Sequence, residues 1–127
     1  MKSLSILLVI LFALSGCEKE EVSSSATNPV YEKIGKKSIV LEVGASNCVA
    51  CINMKKLIDE LKKEDPNIPI HLVDVYEDKD SASKFQIRMI PTQIVLDGKG
   101  DEIYRHIGGL SREELLNLVE MTKEKKI

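Results

Sequence analysis

The sequence predicts an α/β domain in which helices flank one central, mixed, four-stranded sheet. Three observations lead to this fold class. Residues 39–75 have the pattern of a parallel strand, helix, strand crossover, residues 92–107 have that of an antiparallel hairpin, and an amphipathic helix follows. With 127 residues, of which 43% are hydrophobic, the chain has room for a single core.

The crossover begins with the nearly continuous apolar run Ile39 to Val43, which is typical of a strand covered on both faces. Small and cap-forming residues at 44–47 then lead into a helix that is expected to end before Pro66. A second apolar strand is predicted at 70–75. The buried face of the helix is expected to carry Met54, Leu57, Ile58 and Leu61.

The rest of the fold is a hairpin with a helix on either side. The pattern predicts a short helix at 81–85, strands at 92–96 and 102–107, and a turn at 97–100. A final amphipathic helix opens with a capping box, because Ser111 is followed three residues later by Glu114. Its apolar face carries Leu115, Leu118 and Val119.

The composition excludes one function class. The formal net charge is -2, tryptophan is absent, and no basic stripe occurs. Nucleic-acid binding therefore has neither an electrostatic nor a stacking basis.

The N-terminus has the features of a targeting segment. Residues 1–16 combine Lys2 with the apolar run from Leu4 to Leu14, which is too short to span a bilayer. The run closes with Leu-Ser-Gly-Cys, which resembles a bacterial lipobox and implies that Cys17 carries lipid. An uncleaved anchor or a buried helix is the alternative. We expect residues 17–30 to be the lipidated cysteine and a flexible polar tether, and residues 31–127 to be the domain.

Cys48 and Cys51 are spaced by two residues at the start of the predicted helix, which favours a reversible redox pair. Cys48 faces the free N–H groups and the positive end of the helix dipole, and both stabilise a thiolate. Cys51 lies one turn inside. We therefore assign Cys48 as the nucleophile and Cys51 as the thiol that resolves the mixed disulfide.

The chain resembles the thioredoxin family from about Ser38 to Leu116. The resemblance rests on three motifs in order: the apolar strand followed by Cys48 to Cys51, the run Ile87 to Thr92, and Gly108-Gly109-Leu110. It implies a thioredoxin fold with a cis-proline at Pro91 that lies against the cysteine pair. It also implies a substrate-binding surface formed by Asn47, Val49, Ala50, Ile90, Pro91, Thr92 and Gly108.

The resemblance also singles out Glu42, six residues before Cys48, where thioredoxins have a buried acid that helps to move the proton of the resolving thiol. A carboxyl group inside an apolar strand should have a raised pKa and is suited to that task. The alternative is that Glu42 reaches solvent at the end of the sheet. Where thioredoxins have a lysine to pair with this acid, the sequence places Leu72.

Two further positions depart from the family. Asn47 replaces the tryptophan before the first cysteine, and Val49-Ala50 replaces the usual Gly-Pro between the two. Neither histidine, His71 or His106, is predicted to be catalytic, and His106 is expected to face solvent. One CxxC with two distant histidines lacks zinc-finger spacing, so we expect no metal site.

These features predict a thioredoxin-like protein-disulfide reductase that is lipid-anchored in the bacterial envelope, facing the periplasm or the cell exterior, and works without a bound cofactor. Its partners would be disulfide-bonded proteins and a membrane electron donor, because no glutathione pool keeps thiols reduced there. A disulfide-forming oxidase and a binding module with a structural disulfide are the alternatives. The residue before Pro91 is Ile90, which favours the reducing direction.

Overall fold

Four strands form one mixed sheet in the computed structural model, which describes residues 28–123. The strands are β1 (Ile39–Gly44), β2 (Ile70–Asp74), β3 (Thr92–Leu96) and β4 (Glu102–Ile107). Their order in space is β2-β1-β3-β4; β1 runs parallel to β2 and antiparallel to β3, and β4 runs antiparallel to β3. The predicted mixed sheet is confirmed.

Three α-helices connect or follow the strands: α1 (Val49–Glu64), α2 (Ser81–Lys84) and α3 (Arg112–Met121). The capping box of α3 is present, since Ser111 accepts from the Glu114 N–H group and the Glu114 side chain accepts from the Ser111 N–H group. Helices α1 and α2 begin and end close to their predicted bounds, and α3 begins directly after the predicted cap Ser111. Within residues 28–123, no helix has the length and apolar character needed to cross a membrane.

The central strands β1 and β3 are buried along their whole length, because both faces of the sheet are covered. On one face, the apolar side chains of α1 and α3 pack on β1, β2 and β3. The other face is covered by residues 30–34 and by the segment between α2 and β3. Burial of Val40 on one face and Leu41 on the other explains why β1 is a continuous apolar run rather than an alternating one.

The folded part begins before Tyr31, the predicted domain boundary. A short 3-10 helix spans Pro29–Glu32, the Asn28 side chain caps it, and Val30 is buried in the core beneath the sheet. The last three residues assigned to the tether therefore belong to the domain. The polar composition of the segment gave no sign that Val30 packs in the core. Residues 1–27, including the signal segment and Cys17, lie outside the described part of the chain.

Candidate functional site

Helix α1 begins at the first cysteine. Cys48 is its N-cap, with extended backbone angles, and its Sγ accepts a hydrogen bond from the Cys51 N–H group at 3.3 Å. Residues 45–47 make the turn that leads from β1 to this cap, closed by a bond from the Cys48 N–H group to the Ala45 carbonyl at 3.3 Å. Both thiols are free. The cap geometry thus aims backbone N–H groups at one sulfur of the pair.

The two thiols occupy different environments. Cys48 is partly exposed, whereas Cys51 is buried. Hydrogen bonds from the Cys51 thiol and from the N–H groups of Cys51 and Ala50 lower the pKa of Cys48. Burial, followed by the hydrogen bond to Cys48, raises the pKa of Cys51 to about 11. The predicted asymmetry, with an ionisable outer thiol and a protonated inner thiol, matches this geometry.

Gly44, the last residue of β1, forms the wall against which the inner thiol packs. A Cβ atom at this position would lie 3.0 Å from Cys51 Cβ and 3.1 Å from its Sγ. No side chain fits there without displacing Cys51. The sequence predicts Gly44 only as part of a turn. Its contact with the helix depends on how closely strand and helix pack, which a local pattern does not specify.

Glu42 is buried, with 2% of its surface exposed, and the alternative that it reaches solvent is wrong. Its Oε2 accepts a hydrogen bond of 2.8 Å from Gln93 Nε2 on β3, while Oε1 has no hydrogen-bond partner among the described residues. Burial raises the pKa of Glu42 to about 7, and the bond from Gln93 opposes that rise. Glu42 is therefore a carboxyl group that can hold or release a proton near neutral pH.

Leu72 stands directly opposite Glu42 in the register of β1 and β2, so the residue that the sequence placed beside this acid is its neighbour in the sheet. An apolar side chain cannot supply the charge of the family's lysine. The polar partner comes instead from the other neighbouring strand, where Gln93 pairs with Glu42. Sequence reasoning missed Gln93, although an amide inside the buried run of β3 was a signal, because buried amides need partners.

Residues 90 and 91, which lead into β3 and are called the proline loop here, lie at the same end of the sheet as the cysteines. The Ile90–Pro91 bond is cis, which confirms the expectation from the family resemblance. Val43 pairs with Thr92, so Pro91 lies beside the end of β1, where Gly44 meets Cys51. Thr92 Oγ1 donates to the Met89 carbonyl at 2.6 Å, and the Gly108 N–H group donates to the Pro91 carbonyl at 2.8 Å.

Apolar side chains near these motifs are open to solvent. Val49, between the cysteines, is 75% exposed, and Met89, before the proline loop, is 64% exposed. Ile107, which pairs with Thr92, is also exposed, as are Asn47 and Ala50. Of the predicted binding residues, Pro91 and Thr92 are buried and Ile90 and Gly108 are half-buried. Side-chain contacts with a partner would thus come from the exposed residues beside the cysteines and the proline loop, rather than from Pro91 and Thr92.

A cavity of about 340 Å³ lies behind the cysteine pair, between α1 and β2. Glu42, Gly44 and Cys51 line it, so the buried carboxyl and the buried thiol share one space. Lys55 and Asp74 add charged groups to its wall.

Both histidines are half-buried, which corrects the expectation of a solvent-facing His106, and burial lowers the pKa of His71 to about 4.

Comparisons with known proteins agree with this geometry. The thioredoxin family model matches residues 21–121. The chain is 31% identical over 83 residues to an H-type thioredoxin of Fagopyrum esculentum, covering 65% of this chain and 70% of that protein. It is 26% identical over 81 residues to a thioredoxin of Chlamydia pneumoniae, covering 64% and 78% of the two chains.

Solved structures give the same result. The X-ray structure of Fasciola hepatica thioredoxin superposes with a TM-score of 0.61 at 26% identity, covering 73% of this chain and 86% of that one. Fold, motif order and sequence similarity therefore coincide along most of the chain. The protein belongs to the thioredoxin family, whose members carry out thiol-disulfide exchange.

Proposed function

We propose that this protein reduces protein disulfides by dithiol-disulfide exchange, with Cys48 as the nucleophile and Cys51 as the resolving thiol. The observation that carries the proposal is the contrast between the two sulfurs: one accepts the N–H group of the helix start at 3.3 Å, and the other is buried against Gly44. A partly exposed thiolate attacks, and a buried thiol waits for the second step.

The reaction proceeds in two exchanges. The Cys48 thiolate attacks one sulfur of the substrate disulfide, forms a mixed disulfide, and expels the other substrate sulfur as a thiolate. Cys51 then loses its proton and attacks Cys48 Sγ, which releases the second substrate thiolate with the electron pair of the broken bond. The substrate gains two electrons, and the protein is left with a Cys48–Cys51 disulfide.

Glu42 is proposed as the proton acceptor for the second exchange. It shares a cavity with Cys51, and its pKa of about 7 allows it to be ionised when the mixed disulfide has formed. Cys51 needs such an acceptor because its own pKa is raised to about 11. Without a base nearby, few Cys51 thiols would ionise at neutral pH.

The direction of electron flow is the finer part of the proposal. The identity of the residue before Pro91, Ile90, favours a thioredoxin-like reductant. We expect the equilibrium reduction potential of the Cys48/Cys51 couple to lie nearer to about -270 mV than to about -120 mV. Equilibration with glutathione or dithiothreitol buffers measures it, and a value near that of a strong oxidant would favour the disulfide-forming oxidase instead.

An activity assay tests whether the cysteine pair is a purely structural disulfide. The purified domain should reduce insulin disulfides, and Cys48→Ser should abolish the reaction because no nucleophile remains. If the wild-type domain were as inactive as Cys48→Ser, the binding-module alternative would hold. Cys51→Ser should accumulate mixed disulfides with client proteins, because the second exchange is blocked.

The site of action is also proposed from the sequence. We infer that Cys17 carries a lipid anchor, which holds the domain at a membrane of the bacterial envelope, and that a membrane protein returns electrons to the Cys48/Cys51 pair. Full-length protein should sediment with membranes, and Cys17→Ala should move it to the supernatant. Continued sedimentation of Cys17→Ala would contradict the anchor.

A further inference from the structure

Gln93 is a completely buried residue with an amide side chain, and it is the second residue of β3. It lies directly opposite Glu42 in the strand register, so both side chains project from the same face of the sheet. Burying an amide is costly unless its polar atoms are hydrogen-bonded. Among the described residues Oε1 of Gln93 has no hydrogen-bond partner, so the partners of Nε2 show what the residue does.

Both partners of the Gln93 amide are acceptors. Nε2 donates to Glu42 Oε2 at 2.8 Å and to the Gly108 carbonyl at 3.1 Å. An amide turned the other way would place its own oxygen against the Gly108 carbonyl, so the backbone fixes the NH2 group toward Glu42. Gln93 can thus only donate to the carboxyl group; it cannot accept a proton from it.

A donor fixed on one oxygen decides where a proton can sit. A proton on Glu42 Oε2 would weaken that oxygen as an acceptor for the N–H group of Gln93, so the hydrogen bond favours a proton on the other oxygen. Oε1 has no hydrogen-bond partner among the described residues. It is the oxygen that remains available to take a proton.

We propose that Gln93 is a positioning residue for proton transfer: it holds Glu42 by Oε2, so that Oε1 accepts the proton released by Cys51. This inference rests on the proposed function, in which Cys51 resolves a mixed disulfide. Gln93 also favours the ionised carboxyl group, because the atom it presents to Glu42 is the donor Nε2. Gln93 thus provides Glu42 with a hydrogen-bond donor in place of the family's lysine, and it does so without adding a charge.

The same amide joins the carboxyl group to the proline loop. The Gly108 carbonyl accepts from Gln93, and the Gly108 N–H group donates to the Pro91 carbonyl at 2.8 Å. The chain of bonds runs from Glu42 through Gln93 and Gly108 to Pro91. Two acceptors, Glu42 Oε2 and the Gly108 carbonyl, therefore fix the Nε2 group of Gln93, and a proton-positioning group requires such a fixed orientation.

Other titratable groups surround the carboxyl group, and their effects must be separated from that of Gln93. They come from α1, from β2 and the segment after it, and from β4, where one histidine stands opposite Gln93. These groups are Cys48, Cys51, Lys55, Asp74, Glu77 and His106.

The first test uses the unaltered reduced protein. Nuclear magnetic resonance follows the Glu42 side-chain carboxyl carbon and the Gln93 side-chain amide between about pH 5 and pH 9. We expect both signals to titrate with one midpoint, and Glu42→Gln to remove that midpoint from the amide signal. A Gln93 amide that does not respond while Glu42 titrates would overturn the inference.

The second test removes the donor and keeps the shape. Gln93→Met should raise the midpoint of Glu42 by about one pH unit, a tenfold change, because a hydrogen bond to a charged group is lost. The control Ile94→Val alters packing on the opposite face of the same strand and should leave the midpoint unchanged. An equal midpoint in Gln93→Met and wild type would contradict the proposal; if Gln93→Met does not fold, the wild-type titration decides.

Activity separates this inference from the proposed function. The acid limb of the pH profile for insulin reduction should move to higher pH in Gln93→Met, and in a Glu42→Gln background Gln93→Met should cause no further shift. An inactive wild-type protein whose Glu42 and Gln93 titrate together would contradict the proposed function, and with it the proton transfer from Cys51, but not the coupling of Gln93 to Glu42. An active protein whose Gln93 ignores the titration would contradict only the role of Gln93.

Discussion

At the scale of single residues, Cys48 and Cys51 are chemically identical and have opposite pKa shifts. The difference comes from one turn of helix: the outer sulfur accepts N–H groups, and the inner sulfur is enclosed by Gly44. Spacing and helix position were sufficient to predict which thiol lies at the helix start and which lies one turn inside. Burial of Glu42 was also predictable, because it interrupts an apolar strand.

Gln93 and the tight contact at Gly44 were not predictable in the same way. Each depends on a neighbour far along the chain: Gln93 on the pairing of β1 with β3, and Gly44 on how closely α1 approaches β1. Periodicity identifies faces of strands and helices, but it does not specify register or the distance between two backbones.

Glu42 should make stability depend on pH. Its pKa rises from 4.5 in an unfolded chain to about 7 in the fold, so the folded state binds the proton more tightly. Its contribution is fully present below about pH 4.5 and is lost as the pH rises through about 7. Between these values the loss is on the order of 3 kcal/mol.

Urea unfolding of the reduced protein at several pH values tests this prediction. Glu42→Gln lacks the titrating group, so its curve should not show the loss, and the difference between the two proteins isolates Glu42 from the cysteines. Parallel curves for wild type and Glu42→Gln would mean that the carboxyl group is not held in a protonated, buried state.

At the scale of elements, the site is a junction of the end of β1, the start of α1 and the loop before β3. The helix and strand bounds were predicted well, because apolar runs, caps and turn residues all lie within short segments. The N-terminal 3-10 helix was missed, since it is held by core contacts of Val30 rather than by a local pattern.

Gly44→Ala should damage this junction. The added methyl group would lie 3.0 Å from Cys51 Cβ, an atom that no rotamer change can move away. We expect a loss of about 1–2 kcal/mol in unfolding free energy, together with slower release of the mixed disulfide. Gly109→Ala is the matched control, because nothing lies within 4 Å of the position its methyl group would take, and it should leave both quantities nearly unchanged.

At the scale of the whole molecule, the sheet that carries the site is stabilised by apolar packing on both of its faces. Leu115 of α3 is completely buried on the face that also holds α1. Leu115→Ala should therefore cost about 2–5 kcal/mol of unfolding free energy, measured by chemical denaturation. Asn117→Ala, on the exposed side of the same helix, should change it by less than about 0.5 kcal/mol. Equal effects would contradict the packing of α3 on the sheet.

The roles of the two thiols are tested most directly by the pH dependence of alkylation at each cysteine of the reduced protein, resolved by mass spectrometry of the peptides. We predict that Cys48 reacts with a midpoint below the ordinary cysteine pKa of 9.0 and that Cys51 reacts with a midpoint above it, near 11. A common midpoint for both thiols, or a lower one for Cys51, would contradict the assignment of nucleophile and resolving thiol.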